Sequence, residues 1–166
     1  MKTKIIPLLL GSLISLQSAA QSPEPGHPLT LSQADKLASD TLAACDTSKY
    51  LVAVTVMDKT GVPLVIKRMP GAGLHTVEAS RMKAYTALAT RTSSEIVMKN
   101  ARENPDATHL ANIPGFLLLA GGVPLRDAAG EILGAIGVGG APGGHLDQQC
   151  ALQSLDKNNF QSGLKN

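Results

Sequence analysis

Apolar and polar positions along this chain follow two periods, and the switches between them mark out its elements. Over residues 32–45, Ala34, Leu37, Ala38, Thr41, Leu42 and Cys45 recur at helical spacing and predict an amphipathic helix. Ser32 is placed to cap it, with Asp35 three residues on as an approximate capping box. The β-branched run 50–57 reads as a strand, Asp58-Lys59-Thr60-Gly61 as a turn and 62–69 as a second strand, so a β-hairpin is expected. Pro70-Gly71-Ala72-Gly73 interrupts the pattern. A second helix is expected over 76–90, with Val77, Arg81, Ala84, Tyr85 and Leu88 along one face. Ser93 or Ser94 opens a third helix that ends before Pro105, and 106–114 reads as a less regular connection. Strand-like pieces follow at 115–122, 124–127 and 131–138, then a last helix over 146–158. Hairpins in this order imply an α+β fold, with helices packed on the faces of an antiparallel sheet.

The N-terminus carries a different signal. Lys2 and Lys4 precede an apolar stretch over 5–16, and Ser18-Ala19-Ala20 offers small residues for cleavage. That is the pattern of an export signal, too short for a membrane span, and it places the protein in the periplasm or outside the cell. Residues 21–29, with Pro23, Pro25, Gly26 and Pro28, read as a flexible tether, and 30–166 as a single domain. Export also changes the charge. The full chain has 15 basic and 13 acidic residues, and loss of Lys2 and Lys4 leaves it formally neutral. With two Tyr, two Phe and no Trp, neither charge nor stacking surface points to nucleic acid. The two cysteines, Cys45 and Cys150, favour a disulfide in an oxidising compartment. If the first and last helices lie side by side on one sheet face, they bring these cysteines together.

Ten of the sixteen glycines fall between Gly115 and Gly144. They interrupt apolar runs, which suggests turns and sheet edges shaped around a ligand or a neighbouring subunit, or bulges with no ligand at all. Several chemistries lack their residues: there is no G-x-S-x-G elbow, no phosphate-binding P-loop and no C-x-x-C-H. His27, His75, His109 and His145 show no tight metal-binding spacing.

Two blocks together carry a resemblance. The segment from Gly71 to Ala87, which contains Lys83-Ala84-Tyr85-Thr86-Ala87, is one. Gly121-Gly122-Val123-Pro124, continued by Gly134-Ala135-Ile136-Gly137-Val138-Gly139-Gly140-Ala141-Pro142, is the other. In this order they resemble the GlcG/HbpS-like haem-binding family, and the hairpin from Val52 to Arg68 fits the same pattern. The resemblance spans roughly residues 29–155. It implies a profilin-like three-layer α/β/α fold, homo-oligomers that are often octamers, and non-covalent binding of haem b.

On that reading His75, between a glycine loop and a helix, is the first candidate for haem iron, against a role as helix cap or surface residue. Arg81 and Lys83 are candidate anchors for the anionic propionates, with pairing of Arg81 to Glu78 as the alternative. Tyr85 is a candidate axial phenolate or a core residue. Met69 and Met82 are soft donors or core filler, and His145 a second ligand or a surface residue. Gly121, Gly122 and Pro124 line the pocket or make a subunit contact. No acid–base or nucleophile constellation is visible, so haem sequestration, sensing or transfer is expected before catalysis. Two other readings stand beside it. One is a binding module or enzyme for a small organic acid gripped by Arg81 and Lys83. The other is a structural assembly protein.

Overall fold

The computed structural model describes residues 23 and 25–164, so the expected export signal lies outside the described residues. Helix α1 runs from Leu31 to Thr47. Its cap is Thr30, whose hydroxyl accepts from the Gln33 backbone amide at 3.2 Å while the Gln33 side-chain Oε1 accepts from the Thr30 backbone amide at 3.0 Å. The capping box thus sits two residues before the expected Ser32 and Asp35. Asp35 instead pairs with Lys67 at 2.8 Å. The end of the expected tether is docked: Leu29 is buried in the core and the Gly26 amide donates to Asp127.

Strands β1 (Ala53–Asp58) and β2 (Pro63–Arg68) form the expected hairpin. Helix α2 (Thr76–Thr90) has the bounds its periodicity predicts, and α3 (Ser94–Glu103) is capped by Ser93. A 3-10 segment, Pro105–Asn112, follows. Strands β3 (Gly122–Arg126) and β4 (Ile132–Gly139) then lead to α4 (Gly144–Lys157). The strand expected over 115–122 begins only at Gly122. The Leu117 amide bonds the Thr86 hydroxyl at 2.9 Å, so this loop is tied to α2 rather than to a neighbouring strand.

The sheet order is β2-β1-β4-β3, antiparallel throughout. Helices α1 and α4 cover one face, where Leu37, Val54, Val56, Val123, Ile136, Val138 and Leu155 form the main core. The Cys45–Cys150 disulfide joins these helices, with Cα atoms 5.3 Å apart and 105 residues between them in sequence. Ser154 Oγ donates to the Leu37 carbonyl at 2.9 Å, and Asp40 accepts from Lys36, Lys157 and Asn158.

Helix α2 covers the other face, and it buries a different set from the stripe its sequence suggests. Thr76, Ser80, Lys83, Ala84, Thr86 and Ala87 are buried; Val77, Arg81, Tyr85 and Leu88 are only partly so. The glycines of β3 and β4 are the cause. A Cβ on Gly137 would lie 2.0 Å from the Ser80 carbonyl oxygen, and one on Gly122 would lie 2.0 Å from that of Lys83. The helix backbone rests directly on the sheet, which leaves room only for small residues between them. Thr55 and Ser80 share a buried hydrogen bond across this contact at 2.8 Å.

Candidate functional site

The expected site residues separate along α2. His75 stands at its start and Tyr85 ten residues on, roughly 15 Å along the axis at 1.5 Å per residue. They belong to opposite ends of the same helix and do not converge on one iron.

At the first end, the loop 69–75 leaves β2 and turns into α2. Arg68 holds it by donating to the Ala72 carbonyl. The His75 imidazole is exposed and makes no capping hydrogen bond, and its neighbour Leu74 is 97% exposed. Leu42, Ala43, Leu51, Met69 and Pro70, with the carboxylate residue Asp46, line a shallow, mostly apolar hollow of about 340 Å³ at the start of the same loop. Met69 packs partly into the main core, and Met82 is half-buried on α2.

Arg81 and Lys83 already have partners. Arg81 donates to both Glu78 oxygens, at 2.9 and 2.6 Å, and that hydrogen bond holds the Glu78 carboxyl below its usual range. Lys83 is 1% exposed and its ammonium lies 2.6 Å from Asp147 Oδ2. Asp147 also accepts from the Ala141 amide at 2.9 Å. Burial pushes the Asp147 carboxyl above its ordinary value, against the pull of Lys83 and the amides of Ala141 and Gly140. The pair pins α2 to the first turn of α4. A buried, paired ammonium cannot meet a propionate at the surface, so Lys83 is corrected from ligand anchor to interior clasp. A small acid gripped by Arg81 and Lys83 loses the Lys83 anchor for the same reason, and Arg81, though partly exposed, is already paired with Glu78.

Gly121 and Gly122 lie under that clasp. A Cβ on Gly121 would meet Lys83 Nζ at 3.0 Å and Asp147 Cβ at 2.9 Å. Pro124 is buried in β3 opposite Ala135. All three are therefore packed inside the fold, away from the His75 rim. His145, His109 and His27 are exposed, and no group of three or more His, Cys, Asp or Glu capable of holding a metal occurs among the described residues.

At the second end, Tyr85 packs edge-on against Phe116, with ring centroids 6.0 Å apart. It lines a polar cleft of about 620 Å³ with Lys59, Arg91, Arg126 and Glu131. Sequence reading did not assemble this cleft, because its cations come from the β1–β2 turn, the end of α2 and the last residue of β3. Nor did it pair Lys83 with Asp147, which lies 64 residues away with no local pattern linking them. No helix among the described residues is long and apolar enough to cross a membrane.

Comparisons with known proteins agree with the architecture. The family model described as haem degrading protein, HbpS-like, matches residues 29–156. A crystal structure of HbpS is 36% identical, with a TM-score of 0.72, and the match covers 83% of this chain and 96% of that one. A double mutant of Streptomyces reticuli HbpS is 31% identical, also with a TM-score of 0.72, covering 89% of this chain and 97% of that one. The structure of a PduOC–haem complex is 22% identical with a TM-score of 0.74, and covers 83% and 100%. An uncharacterized 15.0 kDa protein from the dhaT-dhaS intergenic region of Citrobacter freundii is 28% identical over 114 residues. That match spans 68% of this chain and 80% of the Citrobacter protein.

Proposed function

We propose that this chain, which belongs to the family of HbpS-like haem degrading proteins, binds haem b non-covalently at the His75 end of α2. The observation that carries this reading is an exposed imidazole without a capping bond, next to a leucine that is 97% exposed, on a loop whose first residues, Met69 and Pro70, line a small hollow. A neutral imidazole is a ready iron ligand, and an apolar macrocycle gains most of its affinity from surface removed from water. Arg68 is the cation that this loop offers a propionate, in place of Lys83. Bound haem would supply an iron centre whose redox behaviour the axial ligand tunes.

The residues fit haem as an open seat rather than an enclosed one. The hollow of about 340 Å³ is at the small end for a ligand pocket, so a second wall is needed. We infer that this wall comes from another copy of the chain in a homo-oligomer. The protein is exported, and its role is haem sequestration, sensing or transfer. The description of the family supports the ligand, and PduOC is a protein of the same fold in complex with haem.

A haemin titration of the purified protein tests the reading, with albumin as the control for nonspecific sticking. The expected result is a saturable Soret shift near one haem per chain or per pair of chains, displaced or abolished in His75→Ala. An unchanged spectrum and affinity in His75→Ala would remove His75 as the ligand, and a non-saturating response would remove haem.

A further inference from the structure

Three turns converge at the end of the sheet away from His75. Asp58 holds the β1–β2 turn: its Oδ1 accepts from the Thr60 amide at 2.8 Å, the Thr60 hydroxyl at 2.6 Å and the Val62 amide at 3.2 Å. Asp127, itself buried, holds the β3–β4 turn by accepting from the amides of Ala129 and Glu131, both at 2.9 Å. The third turn is the end of α2, where the Arg91 amide donates to the Leu88 carbonyl at 3.2 Å. The cleft of about 620 Å³ lies between these braced walls. A site built this way loses little conformational freedom when a ligand enters.

The charges lining the cleft do not balance. Lys59, Arg91 and Arg126 face a single acid, Glu131, and none of the four is in an ion pair among the described residues. Arg126 is fixed by backbone carbonyls, with Nη1 donating to Gly130 at 2.9 Å and Nη2 to Arg91 at 2.8 Å. A guanidinium has five N–H donors, so this anchoring orients the group and leaves its charge unmatched. Capping the end of α2 accounts for Arg126 alone. It does not account for two further cations beside it, which repel it and each other.

Arg91 is the more telling residue. It sits just past the helix at φ 57°, the left-handed conformation that glycine adopts at least cost. An arginine there carries a backbone penalty of about 1 kcal/mol, and it is one of the residues that line the cleft. Tyr85, Leu88 and Ile132 add apolar surface to the lining of the same cleft.

We propose that this cleft is a second binding site, for a small dicarboxylate with an apolar body. Arg126 and Arg91 take the carboxylates through charge-assisted hydrogen bonds, Lys59 adds positive charge, and Tyr85, Leu88 and Ile132 receive the body. The site lies at the opposite end of α2 from the proposed haem seat and does not depend on it.

Calorimetric titration of the purified protein with phthalate tests this, with benzoate, succinate and inorganic phosphate as comparators. The expected result is saturable binding of one phthalate per chain. Benzoate, with one carboxylate, and succinate, with no ring, should each bind about tenfold more weakly. Arg91→Gly should weaken phthalate about tenfold while matching or exceeding the thermal stability of the parent, since glycine suits that backbone. Absence of saturable binding overturns the site, and so does unchanged phthalate affinity in Arg91→Gly. Inorganic phosphate binding as tightly as phthalate would reduce the cleft to a simple anion patch and overturn the ligand class. One-for-one displacement of phthalate by haemin would make the cleft the haem seat, overturning its independence and the His75 assignment together. Failure of phthalate alone leaves the haemin titration untouched.

Discussion

On one face of the sheet, Val54, Val56, Ile136 and Val138 meet Leu37, Ala38 and Leu155 of α1 and α4, and a disulfide ties the two helices together. On the other, glycines meet Ser80 and Ala84 of α2 at backbone distance, and a buried Lys83–Asp147 pair closes the contact. The first face draws its stability from buried aliphatic area, which scales with the apolar surface removed from water. The second has few large side chains to bury. It depends on close approach of backbones and on a charge pair that must be complete, because an interior charge without its partner is costly. One sheet is thus held by bulk on one side and by fit on the other.

The largest effect that would break this comparison is expected at the clasp. Lys83→Met should lower stability by about 3–5 kcal/mol at neutral pH, because Asp147 is left buried and unpaired. The double variant Lys83→Met/Asp147→Leu should recover most of the loss, since it removes both charges. Urea denaturation of the three proteins measures this. If the double variant is as unstable as the single one, the clasp works through shape and not through charge.

A smaller effect is expected on the aliphatic face. Replacing both Cys45 and Cys150 by alanine opens a loop of 105 residues and should cost about 2–4 kcal/mol. The fold should survive, because the aliphatic core there remains. Loss of cooperative unfolding in this variant would mean that the disulfide, and not buried area, holds α1 to α4.

The smallest effect sharpens the contrast through pH. Asp40, between α1 and α4, is pushed up by burial, but hydrogen bonds from Lys157, Lys36 and Asn158 outweigh this and bring its pKa down to about 2. A carboxyl with a depressed folded pKa contributes stability above its ordinary value of 3.8, and that contribution disappears as the pH falls toward 2. With both lysines partly exposed, the contribution is about 1–2 kcal/mol. Asp147 has the opposite sense. Its carboxyl is raised, so the folded state holds its proton more tightly, and its contribution falls as the pH rises through the interval above its ordinary value. Asp40→Asn should therefore flatten the acid limb of stability between pH 4 and pH 2, read by thermal melts across that range. An unchanged limb would place the acid sensitivity elsewhere in the fold.

Much of the architecture was legible in the residues. The bounds of α2, the β1–β2 hairpin, the antiparallel sheet and the pairing of Cys45 with Cys150 all follow from spacing and order. The site was less legible. His75 stands where the break before α2 suggested, but Lys83 looked like a surface cation because its spacing alone says nothing of a carboxylate 64 residues away. The glycine-rich block read equally as a pocket or interface and as bulges or turns with no ligand, and in the fold Gly122 and Gly137 serve the approach of α2 to the sheet. The cations of the second cleft, Lys59, Arg91 and Arg126, share no motif at all.

The sequence by itself determined the order of the helices and most strands, and the ends of the helices to within about two residues, because those rest on contacts between residues two to four apart; the stretch 115–121, which reads as a strand, is a loop tied to α2. It also determined the family resemblance, which rests on two local blocks. Only the tertiary structure decided which face of α2 is buried. Val77 and Tyr85 are the more apolar choices, yet the glycines of the sheet let the backbone of α2 approach at Ser80 and Ala84, and the large side chain buried there, Lys83, is admitted because Asp147 meets its charge. Only the assembled fold brings Lys83 to Asp147 and gathers the β1–β2 turn, the β3–β4 turn and the end of α2 around one cleft. Those contacts depend on how distant strands align, and no local period along the chain records that.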